Sequence, residues 1–176
     1  MSKLALLGGA PIIDQPLQLY RSVGDAERKQ IEEVMDSGSL SGFFGDWHRG
    51  FNGGAKVQEF EAAWCKYFNV RHAVSVNSNT SGLYAAMGAV GVSPGDEVIV
   101  PPLSMSATAM APLIYGGIPV FADLDERTYN LSVETVKAAM TPKTKAILAV
   151  NLMGQAAPLA ELRKLADEKG VYLVED

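Results

Sequence analysis

The sequence is short of cysteine, of histidine and of basic runs. Its one thiol, Cys65, excludes a disulfide within the chain. Cysteine this scarce suits a reducing cytoplasm. The two histidines, His48 and His72, do not combine with Cys65 into the spacing of a metal site. No block of Lys and Arg stands against the net charge of −5, which argues against nucleic acid as a partner. Three motifs are missing as well. Without GxGxxG after a strand a dinucleotide site is disfavoured, and without GxxxxGK[ST] so is an NTP-cleaving loop. No GxSxG elbow supports a Ser–His–Asp triad. Long apolar runs are also scarce. The run at Met1–Leu7 stops at Gly8-Gly9, too short for a signal-peptide core. The uncharged stretch from Val98 to Ala122 is long enough to span a bilayer. Pro101, Pro102, Pro112, Pro119 and Gly116-Gly117 cut it into shorter pieces, so it reads as strand, buried helix and strand, with no membrane partner.

What is present is the balance of a folded protein. There are 176 residues, 48% hydrophobic and 20% charged, enough for one ordinary domain with a sizeable core. Residues 1–21, with Pro11 and Pro16, read as an extended arm. A helix is expected over 25–36, burying Ile31, Val34 and Met35 and stopping at Gly38. Residues 39–54 interleave glycines with Phe43, Phe44, Trp47 and Phe51. Two readings stay open for that segment, contact with a partner or substrate and a mobile loop; His48 within it is expected to be solvated. A second helix over 55–68 places Val57, Phe60, Trp64 and Tyr67 on one face, expected to be core.

From Ala73 the pattern becomes regular. Strands are expected near 73–77, 97–100, 118–122, 146–150 and 171–175, with helices near 80–90, 104–115, 133–140 and 158–169. Pro94-Gly95-Asp96 marks a turn, Ser132 a helix cap, Pro158 a helix start and Gly170 a helix stop. The alternation predicts an α/β fold, a mostly parallel sheet with helices on both faces. The last strand, Tyr172–Glu175, has no following helix to cover it, although parallel strands are buried on both faces. The expectation is therefore a longer chain, with residues 1–54 as arm, helix and glycine–aromatic loop.

In open parallel sheets ligands bind beyond the carboxyl ends of the strands. Asn77–Ser81, Ser104–Ser106, Asp123, Asp125, Asn151 and Asp176 all fall there. Ser78-Asn79-Thr80-Ser81 stands where a helix begins, with Leu83, Tyr84, Met87 and Val90 at helical spacing behind it. Free amides and the helix dipole make such a place fit for a phosphate. A plain cap by Ser78 or Asn79 explains the same residues equally well. The combination suits pyridoxal 5′-phosphate (PLP), which needs an anion site, a cover for its ring, a carboxylate at its pyridine nitrogen and a lysine. The carboxylate keeps that nitrogen protonated, and the protonated ring withdraws electrons from the reacting carbon.

Five segments carry a family resemblance: Gly53-Gly54-Ala55-Lys56-Val57-Gln58-Glu59-Phe60-Glu61, His72-Ala73-Val74-Ser75-Val76-Asn77-Ser78-Asn79-Thr80-Ser81, Pro94-Gly95-Asp96-Glu97-Val98-Ile99-Val100-Pro101, Gly117-Ile118-Pro119-Val120-Phe121-Ala122-Asp123 and Val174-Glu175-Asp176. In this order they resemble the DegT–DnrJ–StrS group of PLP-dependent sugar aminotransferases, of aspartate aminotransferase-like (fold-type I) architecture. Leu6-Leu7-Gly8-Gly9 and the 43–54 loop look like members acting on cyclitols, amino sugars or 3-amino-5-hydroxybenzoate precursors. The resemblance implies that residues 55–176 are the first part of a PLP-binding large domain, with a small C-terminal domain beyond, and it implies roles. Asp176 looks like the pyridine-nitrogen carboxylate. Asn79, Thr80 and Ser81 match the phosphate-binding turn, where glycine is commoner at the first place. Met105 matches the aromatic that covers the ring, with a core methionine as the other reading. Asn151 and Gln155 match a segment near the active site. The family's Schiff-base lysine lies beyond the Glu-Asp motif, so no catalytic lysine is expected among residues 1–176, and Lys143 and Lys145 do not occupy its place. The implied activity is amination of a keto sugar or cyclitol by an amino-acid donor in a cytoplasmic homodimer. A dehydratase with histidine for that lysine, a non-catalytic α/β binding module and a Rossmann-type nucleotide binder are the alternatives.

Overall fold

The computed structural model describes residues 3–16, 18–40 and 51–176. Phe43, Phe44, Trp47 and His48, on which the glycine–aromatic loop was read, lie outside the described residues. Two units are distinguished, Met1–Ala73 and Val74–Asp176.

The first unit holds α1 (Asp25–Asp36) and α2 (Ala55–Phe68), both where periodicity expected them. The Glu27 carboxylate accepts from the Gly24 amide at 2.7 Å, which satisfies one donor of the α1 entry and holds that carboxyl below its ordinary value. Lys56 of α2 reaches Glu33 of α1 at 2.6 Å; this bond lowers the Glu33 carboxyl and raises the Lys56 ammonium. The expected burial is not found. Neither helix buries a residue: Ile31 and Met35 are 62% and 61% exposed, and Phe60, Trp64 and Tyr67 are 54%, 47% and 83% exposed. Val34 and Val57 are half-buried. Periodicity marks which face of a helix is apolar; it does not supply the element that covers it. The aromatics pack on each other instead, with Phe60–Trp64 centroids 5.7 Å apart and Trp64–Phe68 4.5 Å apart.

The second unit is built on four parallel strands, β1 (Glu97–Val100), β2 (Ile118–Phe121), β3 (Thr144–Ala149) and β4 (Tyr172–Glu175), in the order β2-β1-β3-β4. Helices α3 (Asn79–Ala89), α4 (Ser106–Leu113), α5 (Val133–Ala139) and α6 (Leu159–Lys169) complete it. Alternate strand residues serve opposite faces. Ile99, Ile147 and Ala149 pack with Leu131, Val136, Leu162 and Leu165 on the α5/α6 side. Val98, Val100, Ala146 and Leu148 pack with Leu83, Met87 and Ala111 on the α3/α4 side. This double burial explains the nearly continuous apolar run of β3. Helices therefore cover both faces, as the alternation required. Ser132 caps α5 by accepting from the Thr135 amide at 3.2 Å, and Gly170 ends α6 in the left-handed region at φ 67°. The uncharged stretch from Val98 to Ala122 resolves into β1, α4 and β2; among the described residues no helix is long and apolar enough to cross a membrane.

One expected strand is absent. Residues 73–77 form no ladder, and Val74 is 81% exposed. Alternating side chains favour extended backbone, but a strand exists only through its partner, and no described strand pairs with this segment.

Gly117 leads the chain into β2 through a close approach. A Cβ there would stand 2.6 Å from Val92 Cγ1 and 3.1 Å from the Pro112 carbonyl oxygen. That carbonyl also accepts from the Gly117 amide at 3.0 Å, so it cannot simply move away. Gly117→Ala is expected to cost about 2 kcal/mol by overpacking, read as a lower urea midpoint with unchanged slope.

Candidate active site

The strand order creates a switch point. From β1 the chain crosses to β2 by α4, on one face; from β2 it returns past β1 to β3 and goes on to β4, with α5 and α6 on the other face. The segments after β1 and β3 leave toward opposite faces, and a crevice at their carboxyl ends is the expected ligand place. Met105 follows β1, Asn151 follows β3, and Asp176 follows β4. Met105 is 78% exposed at the entry to α4, so the reading of it as a core methionine fails.

At the α3 entry, Ser78 is the cap. Its backbone is extended, and its hydroxyl accepts from the Ser81 amide at 3.2 Å. The Ser81 hydroxyl donates to Asn77 Oδ1 at 2.6 Å. The first helical bond runs from the Gly82 amide to the Ser78 carbonyl, so the Asn79 and Thr80 amides stand ahead of it. Asn79 does not cap. Its Nδ2 donates to Asp176 Oδ1 at 2.6 Å, joining groups 97 residues apart. The helix start and the strand-end carboxylate thus meet.

The backbone of Asp176 is held on both sides. Its amide donates to the Ala149 carbonyl and its carbonyl accepts from the Asn151 amide, each at 2.8 Å. These bonds extend the β3–β4 ladder by one step. The Asn151 side chain is spent within the protein: Nδ2 donates to Glu175 Oε1 at 2.7 Å and Oδ1 accepts from the Ala157 amide at 2.8 Å. It supports the strand end rather than facing a ligand. Gln155 offers its carbonyl to Asn130.

Sequence reasoning missed Asn130. It is 1% exposed, donates from Nδ2 to the Gln155 carbonyl and accepts at Oδ1 from the Leu152 amide, both at 3.0 Å. It therefore pins the segment that carries Asn151. Asn130 is itself held by the turn that Asp125 closes. The Asp125 carboxylate accepts from the Thr128 and Arg127 amides, the first of which does most to lower its carboxyl, and the Asp125 amide donates to the Asn130 carbonyl at 3.0 Å. The only local signal was a turn-forming aspartate shortly before a polar residue next to Leu131; nothing in it foretold burial.

A cleft of about 580 Å³ opens near these loops, lined by Asp125, Arg127, Ser132, Glu134 and Glu161 among others. It does not include Asn79, Thr80, Ser81 or Asp176, and the converging donors are the better guide to chemistry. Lys143 and Lys145 stand at the amino-terminal end of β3, the opposite edge of the sheet from Asp176.

The sequence profile of the DegT/DnrJ/EryC1/StrS aminotransferase family matches residues 23–176. The chain belongs to this family. The motifs in the sequence had led to the same group. Among DegT-family relatives, the spore coat polysaccharide biosynthesis protein SpsC of Bacillus subtilis is 38% identical over 154 residues, which is 88% of this chain and 37% of that protein. GDP-perosamine synthase of Vibrio cholerae is 37% identical, over 88% of this chain and 40% of its own length. L-glutamine:2-deoxy-scyllo-inosose aminotransferase of Streptomyces kanamyceticus is 34% identical, over 99% and 40%. The chain thus spans about two-fifths of the length of these relatives. Of solved structures in the family, 3-amino-5-hydroxybenzoic acid synthase superposes with a TM-score of 0.82 at 32% identity, over 92% of this chain and 40% of that one. An E. coli GDP-4-keto-6-deoxy-D-mannose-3-dehydratase, solved with hydrated PLP, gives 0.75 at 31%, over 89% and 39%. The fold is therefore that of the fold-type I aminotransferases, as the resemblance implied.

Proposed function

We propose that this chain forms the cofactor-binding part of a PLP-dependent aminotransferase that aminates a keto sugar or cyclitol. The observation that carries the proposal is the 2.6 Å bond between Asn79 and Asp176, which brings a helix N-terminus and a carboxylate to one place. PLP has a phosphate and a basic ring nitrogen to satisfy, and this donor and acceptor set fits both. The Asn79 and Thr80 amides, with the Thr80 hydroxyl, would hold the phosphate, and Ser81 would support the turn through its bond to Asn77. The Asp176 carboxylate holds the ring nitrogen and favours its protonated form. Met105, exposed at the same edge of the sheet, covers the ring through its polarizable thioether. When bound, the cofactor supplies an electron sink for the carbon that loses its proton. Lys143 and Lys145, at the opposite edge of the sheet from Asp176, are given no part in anchoring the cofactor.

The relatives' names support the acceptor class, since they include a perosamine synthase and an inosose aminotransferase. The dehydratase among the structural relatives favours one second reading, a PLP-dependent sugar dehydratase on the same scaffold. The test is titration of the whole protein with PLP, followed by incubation with L-glutamate or L-glutamine and a nucleotide-linked keto sugar or a keto cyclitol. Formation of the amino product supports the aminotransferase; loss of a hydroxyl without gain of nitrogen supports the dehydratase. Tight binding of NAD and none of PLP overturns both. Thr80→Ala is expected to raise the PLP dissociation constant about tenfold, the scale of one hydrogen bond to a charged group. Ser81→Ala should raise it only about threefold, because its hydroxyl proton already goes to Asn77.

A further inference from the structure

We propose that Asn79 is a positioning residue for the Asp176 carboxylate and not a side-chain ligand of the phosphate; this rests on the PLP reading above. An asparagine side chain has one NH2, with two N–H donors, and one carbonyl acceptor. One N–H of Nδ2 is given to Asp176 Oδ1 at 2.6 Å, short as bonds to an ionised acceptor are, and in the planar amide this bond sets the direction of the second. The acceptor, Oδ1, lies back over its own helix, 3.9 Å from where a Cβ on Gly82 would stand. An oxygen acceptor offers a phosphate nothing. The α3 entry can hold an anion through its leading amides and Thr80 without this side chain.

What Asp176 gains is orientation. Its backbone is fixed by Ala149 and Asn151. The torsion that turns an aspartate carboxyl group is broad, so backbone fixation alone leaves the plane of the carboxylate free to swing. Asn79 removes that freedom by holding Oδ1, and Oδ2 is then presented in one direction. Glycine, the residue commoner at this place in the resemblance, has no side chain with which to do so. The asparagine thus adds a function to the turn of this chain.

The experiment uses the whole protein with PLP. In Asn79→Ala, kcat is expected to fall about tenfold, with the KM of the amino donor within twofold of wild type and the PLP dissociation constant within threefold. Thr80→Ala supplies the contrast, since it weakens PLP binding about tenfold. A crystal structure of the wild-type protein with PLP should keep Asn79 Nδ2 in hydrogen-bond reach of Asp176. The proposal is overturned if Nδ2 turns onto the phosphate, if Asn79→Ala weakens PLP as Thr80→Ala does, or if its kcat is unchanged. A wild-type protein that binds no PLP removes the cofactor reading and this inference together, an outcome distinct from PLP binding with Asn79 turned away from Asp176.

Discussion

Asp176→Asn is expected to lower kcat of the whole protein by roughly 100- to 1000-fold, the usual cost of losing one preorganised electrostatic partner, while PLP stays bound. Asparagine matches aspartate in shape. Its carbonyl oxygen can still accept from Asn79, and its backbone keeps the bonds to Ala149 and Asn151. The substitution therefore removes charge and leaves the frame. Without the negative charge the ring nitrogen is no longer held protonated, and one pKa unit at that nitrogen corresponds to about 1.4 kcal/mol. PLP remains because its phosphate is held at the α3 entry. Steady-state kinetics, with the absorbance of retained cofactor as the control, decide the matter; kcat within tenfold of wild type would sink the role given to Asp176.

Asn130→Ala is expected to destabilise the protein by about 3 kcal/mol, and Asn130→Asp by at least as much. Alanine leaves the Leu152 amide and the Gln155 carbonyl without their partner and opens a cavity around a residue that is 1% exposed. Aspartate keeps the acceptor for Leu152 but sets a second acceptor against the Gln155 carbonyl, with a charge in a dry place. Urea unfolding of the whole protein measures both. The segment that carries Asn151 depends on these bonds, so the loss should reach the site, and kcat should fall at temperatures where the variant is still folded. Equal midpoints for Asn130→Ala and wild type would show that the buried amide is dispensable.

These two residues differ in how they could be found. Asp176, whose role is the one proposed above, stands out in the sequence because it closes an apolar strand within a recognisable Glu-Asp motif. Asn130 was not, because an asparagine between a turn and a helix cap is usually solvated, and only its neighbours in space make it a tether. Asn151 lay between these cases. Its motif pointed to the site, yet its side chain is spent on Glu175 and Ala157.

The sequence by itself determined what depends on neighbours along the chain. Helices α1 to α6 and strands β1 to β4 follow from local periodicity and local stop signals such as Ser132 and Gly170, and the succession of strand and helix forces a parallel sheet. Motif order was enough for the family. The tertiary structure alone decided what needs a second surface. It left 73–77 without a ladder, although its side chains alternate as a strand's do. It left the apolar faces of α1 and α2 unburied, although their spacing is that of core helices. It also joined Asn79 to Asp176 across 97 residues. Periodicity is a property of one segment, whereas pairing, burial and convergence are properties of two, and the second partner is chosen only when the chain has folded.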